Sequence, residues 1–479
     1  MNEMFASTWR NFGTWIVLAA ALTFFISLTA PVITWVNTDS DSAIYLYSAR
    51  YLEPSHPTGA PAFNLLNAAA LRVIPYGSLA WRLALLSALA SSATAAILYA
   101  KTRNIIAPLV FLAAGLVVAQ STIIESYALI TLLMVIMWFW RQNMTVFIIA
   151  GILGLGVHHL IGLTMLPILL ARWRNHESLK PALWLFLGVL WYIYIPLTNR
   201  APFDDVWLRG DGFLDYFNYM FSQAGLTLGL ALFTSDGVIR YQDASVLLIA
   251  GFLGALIPIA VRSRNDLFTW VMWLPFLHYL FGLPHVAYVY AMPAFAFGGV
   301  MAAQGVEMIQ EWTDRVELKR VVYALVVAPA ILLIFFNAIA YNIGGENLDA
   351  ENTAAAFYHE LGEVEPDAVV WTYHRGWELV VIRLYNRDQR KEIDYVLRAH
   401  NDIEGAKIAI AQAHREKRLY HTVTTDGRTY GTSIERATPF EIWGNVVQQW
   451  YFLDDIPESA RVRDWSIVGL DTSGALATP

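Results

Sequence analysis

The sequence predicts a polytopic α-helical membrane domain followed by a smaller soluble α/β domain. Three observations carry that prediction. Of 479 residues, 57% are hydrophobic and only 15% charged, and mean hydropathy is +0.45, a balance that soluble proteins of this length do not carry. Apolar stretches near bilayer-crossing length recur between Trp15 and Tyr341. Beyond them the chain turns polar, and strand-like and helix-like runs alternate toward Pro479. The membrane domain therefore spans 1–343 and the soluble domain 344–479.

The net charge of −7 argues against a nucleic-acid partner. The absence of cysteine fits exposure to an oxidising compartment without requiring it. Arg10 precedes the first apolar segment, which lacks a small-residue cleavage site and reads as a retained signal anchor.

Basic residues orient the spans, because Lys and Arg mark the cytoplasmic side. They cluster at Lys101 and Arg103, at Arg141, at Arg172, Arg174 and Lys180, at Arg262 and Arg264, and at Arg315, Lys319 and Arg320. A first helix over 15–36 delivers "WVNTDSDSAIYLYSARYLEPSHPTGAP" to the outer face. The next apolar segment, 57–74, carries Pro57, Gly59, Pro61, Asn64, Asn67 and Arg72, so it suits the outer interface better than a crossing. Spans then run inward over 79–100, outward over 105–120, inward over 123–140, outward over 145–157, inward over 159–171 and outward over 181–198. Residues 199–244 stay outside, with a second interfacial helix at 221–233, and helices near 245–262, 267–283, 286–308 and 321–342 complete about eleven spans. All five basic clusters then lie in the cytoplasm with the N-terminus, and the C-terminal domain is extracytoplasmic, in a multi-pass plasma-membrane protein.

This arrangement gathers Asp39, Asp41, His56, Glu125, His158, His159, Arg200, Asp204, Asp205, Arg209, Asp211 and His285 on the outer side. Carboxylates beside lipid are costly unless a partner or water satisfies them, so one outward-facing polar site is the economical reading. Asp41 begins "DSAIYLYSARYL", where Ile44, Tyr47 or Ser48, and Tyr51 recur at helical spacing. Asp39 or Ser40 suits its N-cap. Asp39 and Asp41 do not share a helix face, so one caps and the other points into the site. Glu125, in "AQSTIIESYALI", stands at a helix start, where a carboxylate also complements the macrodipole. His158 and His159 meet at a helix junction, and adjacent residues of a helix point apart, which makes them poor joint metal ligands. No HExxH and no cysteine pair supports zinc.

"DSAIYLYSARYLEPSHPTGAPAFNLL" resembles the acidic first-loop motif and HPPGxP-like stretch of the GT-C superfamily of membrane glycosyltransferases, specifically the prokaryotic and animal relatives of protein O-mannosyltransferases. "WRLALLSALASS", "ESYAL", "VHHLIGLTMLP", "WYIYIPLTNRAPFDDVWLRGDGFLDYFNYMFS" and "AYVYAMPAF" resemble further motifs of that family in order. Three departures stand out: Ile44 replaces a Glu, Thr58 the second Pro, and Thr198 an Arg, with Arg200 close behind. Counted back from His56, Asp41 falls on the motif's Asp.

The resemblance implies transfer of a hexose, mannose first, from a polyprenyl phosphate to an acceptor hydroxyl at the outer face, with inversion. A protein Ser or Thr acceptor leads; a lipid or glycan acceptor is the variant within the same chemistry. A hydroxyl needs a general base as its bond forms, which points to Asp41, with Glu125 orienting the acceptor or a basic partner. A phosphate leaving group needs cations or donors, for which Arg200, Arg209, His56 and Arg50 stand on the right side. Asp39, Tyr127 of the ESYAL motif, His158 and His159 are further substrate-site candidates. A divalent metal is compatible with this chemistry but is not required by it, and no other cofactor is implied. The alternative is a transporter or flippase of a lipid-linked saccharide, but such proteins bring broken helices from two repeats to the midplane, and no such repeat is evident.

In the tail, "AVVWTY", "EIDYVL" and "HTVTT" read as strands, and "ELVVIRLYN" and "DIEGAKIAIAQAHREKRLY" as helices, the alternation of a small parallel α/β layer. No GxGxxG or P-loop is present.

Overall fold

The computed structural model describes residues 2–29, 41–53, 55, 60–77, 79–193, 292–312, 315–343, 369–373, 377–390, 394–398 and 420–423. The interfacial helix expected at 221–233 and the spans expected at 245–262 and 267–283 lie outside the described residues. By internal contacts the chain divides into two units, Met1–Pro31 with Ser48–Gly344, and Val32–Tyr47 with Gly345–Pro479.

The first unit is helical. Its elements are α1 (Asn2–Thr29), the end of α2 (Asp41–Tyr51), α3 (Pro61–Val73), α4 (Leu79–Thr102), α5 (Ile106–Ala113), α6 (Gly115–Thr122), α7 (Tyr127–Phe139), α8 (Met144–Val157), α9 (Gly162–Arg174), α10 (Met292–Glu311) and α11 (Val316–Ile343). A 3-10 turn, His159–Ile161, precedes α9, and a 3-10 helix, Lys180–Ile193, follows it. Among the described residues, α4, α10 and Val316–Phe335 of α11 are long and apolar enough to cross a membrane, and α6 with α7 qualifies as a pair bent by 113°.

Helix α4 is the hub, touching α1, α3, α5, α6, α7 and α10. Its composition explains this: Ala84, Ala88, Ser91, Ser92 and Ala95 are buried, and small side chains let helices approach closely without lipid-filled gaps. Its inward hydroxyls cost little, since Ser92 and Thr94 donate to the carbonyls of Ala88 and Ala90 at 2.7 and 2.9 Å. Helix α10 uses the same device where Gly299 lies against the carbonyl of Ala107 in α5, leaving no room for a Cβ. The long 3-10 helix runs along α8, with Gly151 facing Leu185 and Gly188 facing Leu155, and Trp191 Nε1 donating to the Ile152 carbonyl at 2.9 Å.

The apolar segment 105–120, expected as one span, is two short helices. The chain leaves helical geometry at Ala114, whose backbone is extended. This frees the carbonyl of Ala113, and Asn337 Nδ2 of α11 donates to it at 2.7 Å. A broken helix is tolerated in an apolar interior only where other groups re-satisfy its backbone.

The second unit contains a parallel three-stranded sheet, β1 (Val369–Tyr373), β2 (Asp394–Arg398) and β3 (Tyr420–Val423), in the order β2-β1-β3. Val369 registers with Asp394 on one side and with Tyr420 on the other. Helix α12 (Trp377–Gln389) connects β1 to β2, the crossover that a parallel pair requires. The helix expected within 402–420 lies outside the described residues up to Tyr420. Within this unit Arg387 Nη1 donates to Tyr47 Oη at 3.2 Å, and its guanidinium carbon stands 6.0 Å from that ring.

Candidate active site

The two ends of the helical unit differ in chemistry. At one end, Lys101 Nζ stands 3.8 Å over the Trp140 ring, and the Arg141 guanidinium 4.7 Å from the Trp138 ring. Arg172 donates to the Arg141 carbonyl at 2.5 Å and pairs with Glu177 at 2.7 Å. Asn104 donates to Glu307 Oε1 at 3.1 Å, and Gln310 to the Lys319 carbonyl at 3.4 Å. These contacts gather four of the five basic clusters at one end; the fifth, Arg262 and Arg264, lies outside the described residues.

From that end α7 runs back to the break at 123–126. Glu125 is buried there, 1% exposed, just before α7 rather than within it. Its Oε2 accepts from the Ser126 amide at 2.9 Å, the position that complements the positive end of a helix. Ser87 of α4 serves the same peptide: its Oγ donates to the Glu125 carbonyl at 3.1 Å and receives the Glu125 amide at 3.5 Å. One turn on, Ser91 Oγ donates to Ser121 Oγ at 2.6 Å, and Ser121 gives its single proton to the carbonyl of Val117. Two serines four residues apart on α4 thus hold the bend that presents Glu125. Along α4 that point is about 22 Å from Thr102 and about 12 Å from Leu79, toward the end remote from the basic loops.

Tyr127, His158 and His159 come together beside this bend. The Tyr127 and His158 ring centroids are 5.4 Å apart, and those of His158 and His159 4.1 Å with 31° between planes. The histidines do not point apart. His158 has extended backbone, φ −164° and ψ 144°, and terminates α8 instead of continuing it, so helical side-chain directions do not apply. His158 is buried, and its Nδ1 accepts from the Leu160 amide at 3.2 Å, which makes Nε2 the nitrogen that carries any proton in the neutral ring. His159 is exposed. Gly156 closes the approach to α3: a Cβ there would sit 2.7 Å from Ala62 Cβ and 2.7 Å from the Trp191 ring.

Asp41 is the first residue of α2. That helix is not buried along one stripe, as its periodicity suggests, but buried through Ile44–Ala49 without interruption, the pattern of a helix enclosed by protein. Arg50 is exposed, its guanidinium 5.8 Å from the Tyr51 ring. Glu53 and Ser55 are buried, and Ser55 Oγ accepts from Asn64 Nδ2 of α3 at 3.3 Å. Asp39, His56, Arg200 and Arg209 lie outside the described residues. Among the described residues no three His, Asp or Glu side chains stand together to hold a metal ion.

Sequence reasoning misses Ser87, Ser91, Asn64 and Asn67. A signal was present for the serines, which repeat at a four-residue interval in an otherwise apolar segment.

Residues 41–147, from the first residue of α2 into α8, match the family described as Protein O-mannosyl-transferase TMEM260 N-terminal domain. No curated protein matches the sequence. The fold is similar to that of ArnT from Cupriavidus metallidurans. With the structure of ArnT bound to undecaprenyl phosphate the TM-score is 0.57 at 11% identity, covering 85% of this chain and 92% of that one. With apo ArnT the TM-score is 0.55 at 13% identity, covering 88% and 94%. The chain thus shares the fold of ArnT, and its residues 41–147 are similar to the N-terminal domain of a protein O-mannosyl-transferase.

Proposed function

We propose that the protein is an inverting glycosyltransferase that moves a hexose, mannose first, from a polyprenyl-phosphate donor to a Ser or Thr hydroxyl of a protein acceptor at the extracytoplasmic face. The observation that carries the reading is the separation of chemistries along the helical unit. Glu125, Tyr127 and His158 are buried toward one end, and four basic clusters stand at the other. The family match and the fold shared with a protein crystallised with undecaprenyl phosphate support a lipid-linked donor.

In this reading residues 1–343 form the catalytic domain and 344–479 an extracytoplasmic α/β domain, the basic loops face the cytoplasm with the N-terminus, and about eleven spans cross the plasma membrane. Asp41 takes the acceptor hydroxyl's proton as the acceptor oxygen bonds the anomeric carbon. The bond from that carbon to the phosphate oxygen breaks, and polyprenyl phosphate departs with the electron pair. The attack comes from the face opposite the phosphate, which inverts the centre. Arg200, Arg209, His56 and Arg50 are the cations assigned to the departing phosphate. Glu125 orients the acceptor or a cation, and Asp39, Tyr127, His158 and His159 line the substrate.

The test is sugar transfer by purified protein in lipid from radiolabelled polyprenyl-phosphate mannose to mixed peptide and glycan acceptors, with Asp41→Asn alongside. Transfer to peptide that collapses in the variant supports the reading. Transfer to lipid or glycan alone replaces the acceptor, and equal transfer by both proteins removes Asp41 as base.

A further inference from the structure

Helix α2 is divided between the two units of the chain. Its residues Asp41–Tyr47 group with the C-terminal unit, and Ser48–Tyr51 with the helical unit. On the helical side the chain leaving α2 is tied at Ser55, which accepts from Asn64 of α3. On the C-terminal side the tie is Tyr47. Tyr47 is buried, Arg387 Nη1 donates to its Oη at 3.2 Å, and the Arg387 guanidinium carbon stands 6.0 Å from its ring. Arg387 comes from the last turn of α12, where Leu384 and Tyr385 are buried and Arg387 itself is exposed.

This tie bears on chemistry because α2 begins at Asp41. Tyr47 follows Asp41 by about 9 Å along the helix axis. A rigid helix pivoting by about 6° at Tyr47 carries its first residue about 1 Å, and a misplacement of that size can cost a reaction about a hundredfold. The effect on global stability is small by comparison, because an exposed donor that loses its protein acceptor regains water. Arg387 therefore matters for where α2 sits more than for whether the protein folds. Its planar group also suits the place, since it donates to the hydroxyl and lies near the ring at once, which the point charge of a lysine does less well.

We infer that Arg387 is a positioning residue for transfer: through Tyr47, the C-terminal domain sets where α2 holds Asp41. The inference rests on the reading above, in which Asp41 is the base of a glycosyltransferase. It gives the C-terminal domain a part in the reaction itself.

The experiment uses the full chain in lipid nanodiscs: wild type, Arg387→Gln, Arg387→Lys, Tyr47→Phe and the Arg387→Gln/Tyr47→Phe double variant. Thermal unfolding checks folding, hydrogen exchange of residues 41–51 is read without substrate, and transfer is measured from polyprenyl-phosphate mannose to a Ser/Thr peptide. Arg387→Gln is expected to unfold with wild type and to exchange faster over 41–51. Its kcat should fall about tenfold with donor KM unchanged. Tyr47→Phe should do the same, the double variant should lose no more than either single one, and Arg387→Lys should recover part of the rate. Wild-type exchange and kcat in Arg387→Gln overturn the inference and leave the transferase reading intact. Losses that multiply in the double variant, or a loss confined to KM, also overturn it. Absence of transfer by the wild-type protein overturns the transferase reading; faster exchange in Arg387→Gln would then leave the bond a structural tie with no part in this reaction.

Discussion

Asn337 and Ala113 meet across 224 positions of sequence, the Asn337 amide donating to the Ala113 carbonyl at 2.7 Å. An amide in the apolar helix α11 thereby serves the carbonyl freed where α5 stops. Around it Ala330, Leu333 and Ile334 pack on Leu109 and Ala113. Asn337→Leu keeps the volume and removes the donor, so it should lower stability by about 1–3 kcal/mol. Denaturant titration in detergent, with Leu333→Ala as a packing control, measures this. An unchanged midpoint for Asn337→Leu would show that the carbonyl has another partner.

Ser87 holds both the amide and the carbonyl of Glu125. Ser87→Ala is expected to cost about 1–2 kcal/mol of stability and to lower kcat more than it raises KM for donor, because it frees the orientation of a buried carboxylate. Ser92→Ala, on the same helix but bonded among the described residues to its own preceding turn, should leave both kinetic constants near wild type. Equal kinetic losses in the two variants would count against a specific role for the Ser87 contact.

Under the proposed mechanism Asp41→Asn should reduce kcat by about 10²–10⁴ while donor binding persists, since the amide keeps the shape and loses the base. Asp41→Glu should recover part of that rate. Single-turnover transfer with donor pre-bound separates the two steps, and a variant that fails to bind donor would assign Asp41 to binding instead.

Cysteine is absent from the sequence, so single cysteines report topology without background. Gln142→Cys, between α7 and α8 at the basic end, is expected to resist a membrane-impermeant maleimide in intact cells. Tyr76→Cys, in the exposed turn before α4, should label readily. The reverse pattern would invert the proposed orientation.

The close approach of Gly299 to the Ala107 carbonyl makes a smaller claim. Gly299→Ala forces α10 off α5, and overpacking of this kind costs about 1–3 kcal/mol. Thermal unfolding of the variant beside Gly298→Ala reads the difference.

The grouping of the basic loops was legible in the sequence because charge is counted along the chain, and the Lys101, Arg141, Arg172 and Lys319 regions do meet. The bend at 123–126 was legible as the turn between the spans expected at 105–120 and 123–140, but the break at Ala114 was not. In "IAPLVFLAAGLVVAQST" the hint is Gly115 beside the break, a weak signal in an apolar run, and the partner that satisfies the freed carbonyl, Asn337, belongs to a distant segment. The histidine pair misled for a related reason: adjacency implies divergence only inside a helix, and His158 is extended. The asparagines of α3 were read as faults in a membrane span. In the fold they are its interior face, and no one-dimensional pattern says which side of a short amphipathic helix meets protein.

The Ala113–Asn337 bond also fixes an order of events during synthesis. Ser87 and Ser91 leave the ribosome before the bend at 123–126 and can receive it as it enters the membrane. Asn337 follows Ala113 by 224 residues, which at 5–20 residues per second is a delay of about 10 to 45 seconds. For that interval the junction of α5 and α6 must be served by something else, whether an insertase, a lipid headgroup or water. The last described helix of the membrane unit is therefore the one that seals one of the earliest breaks.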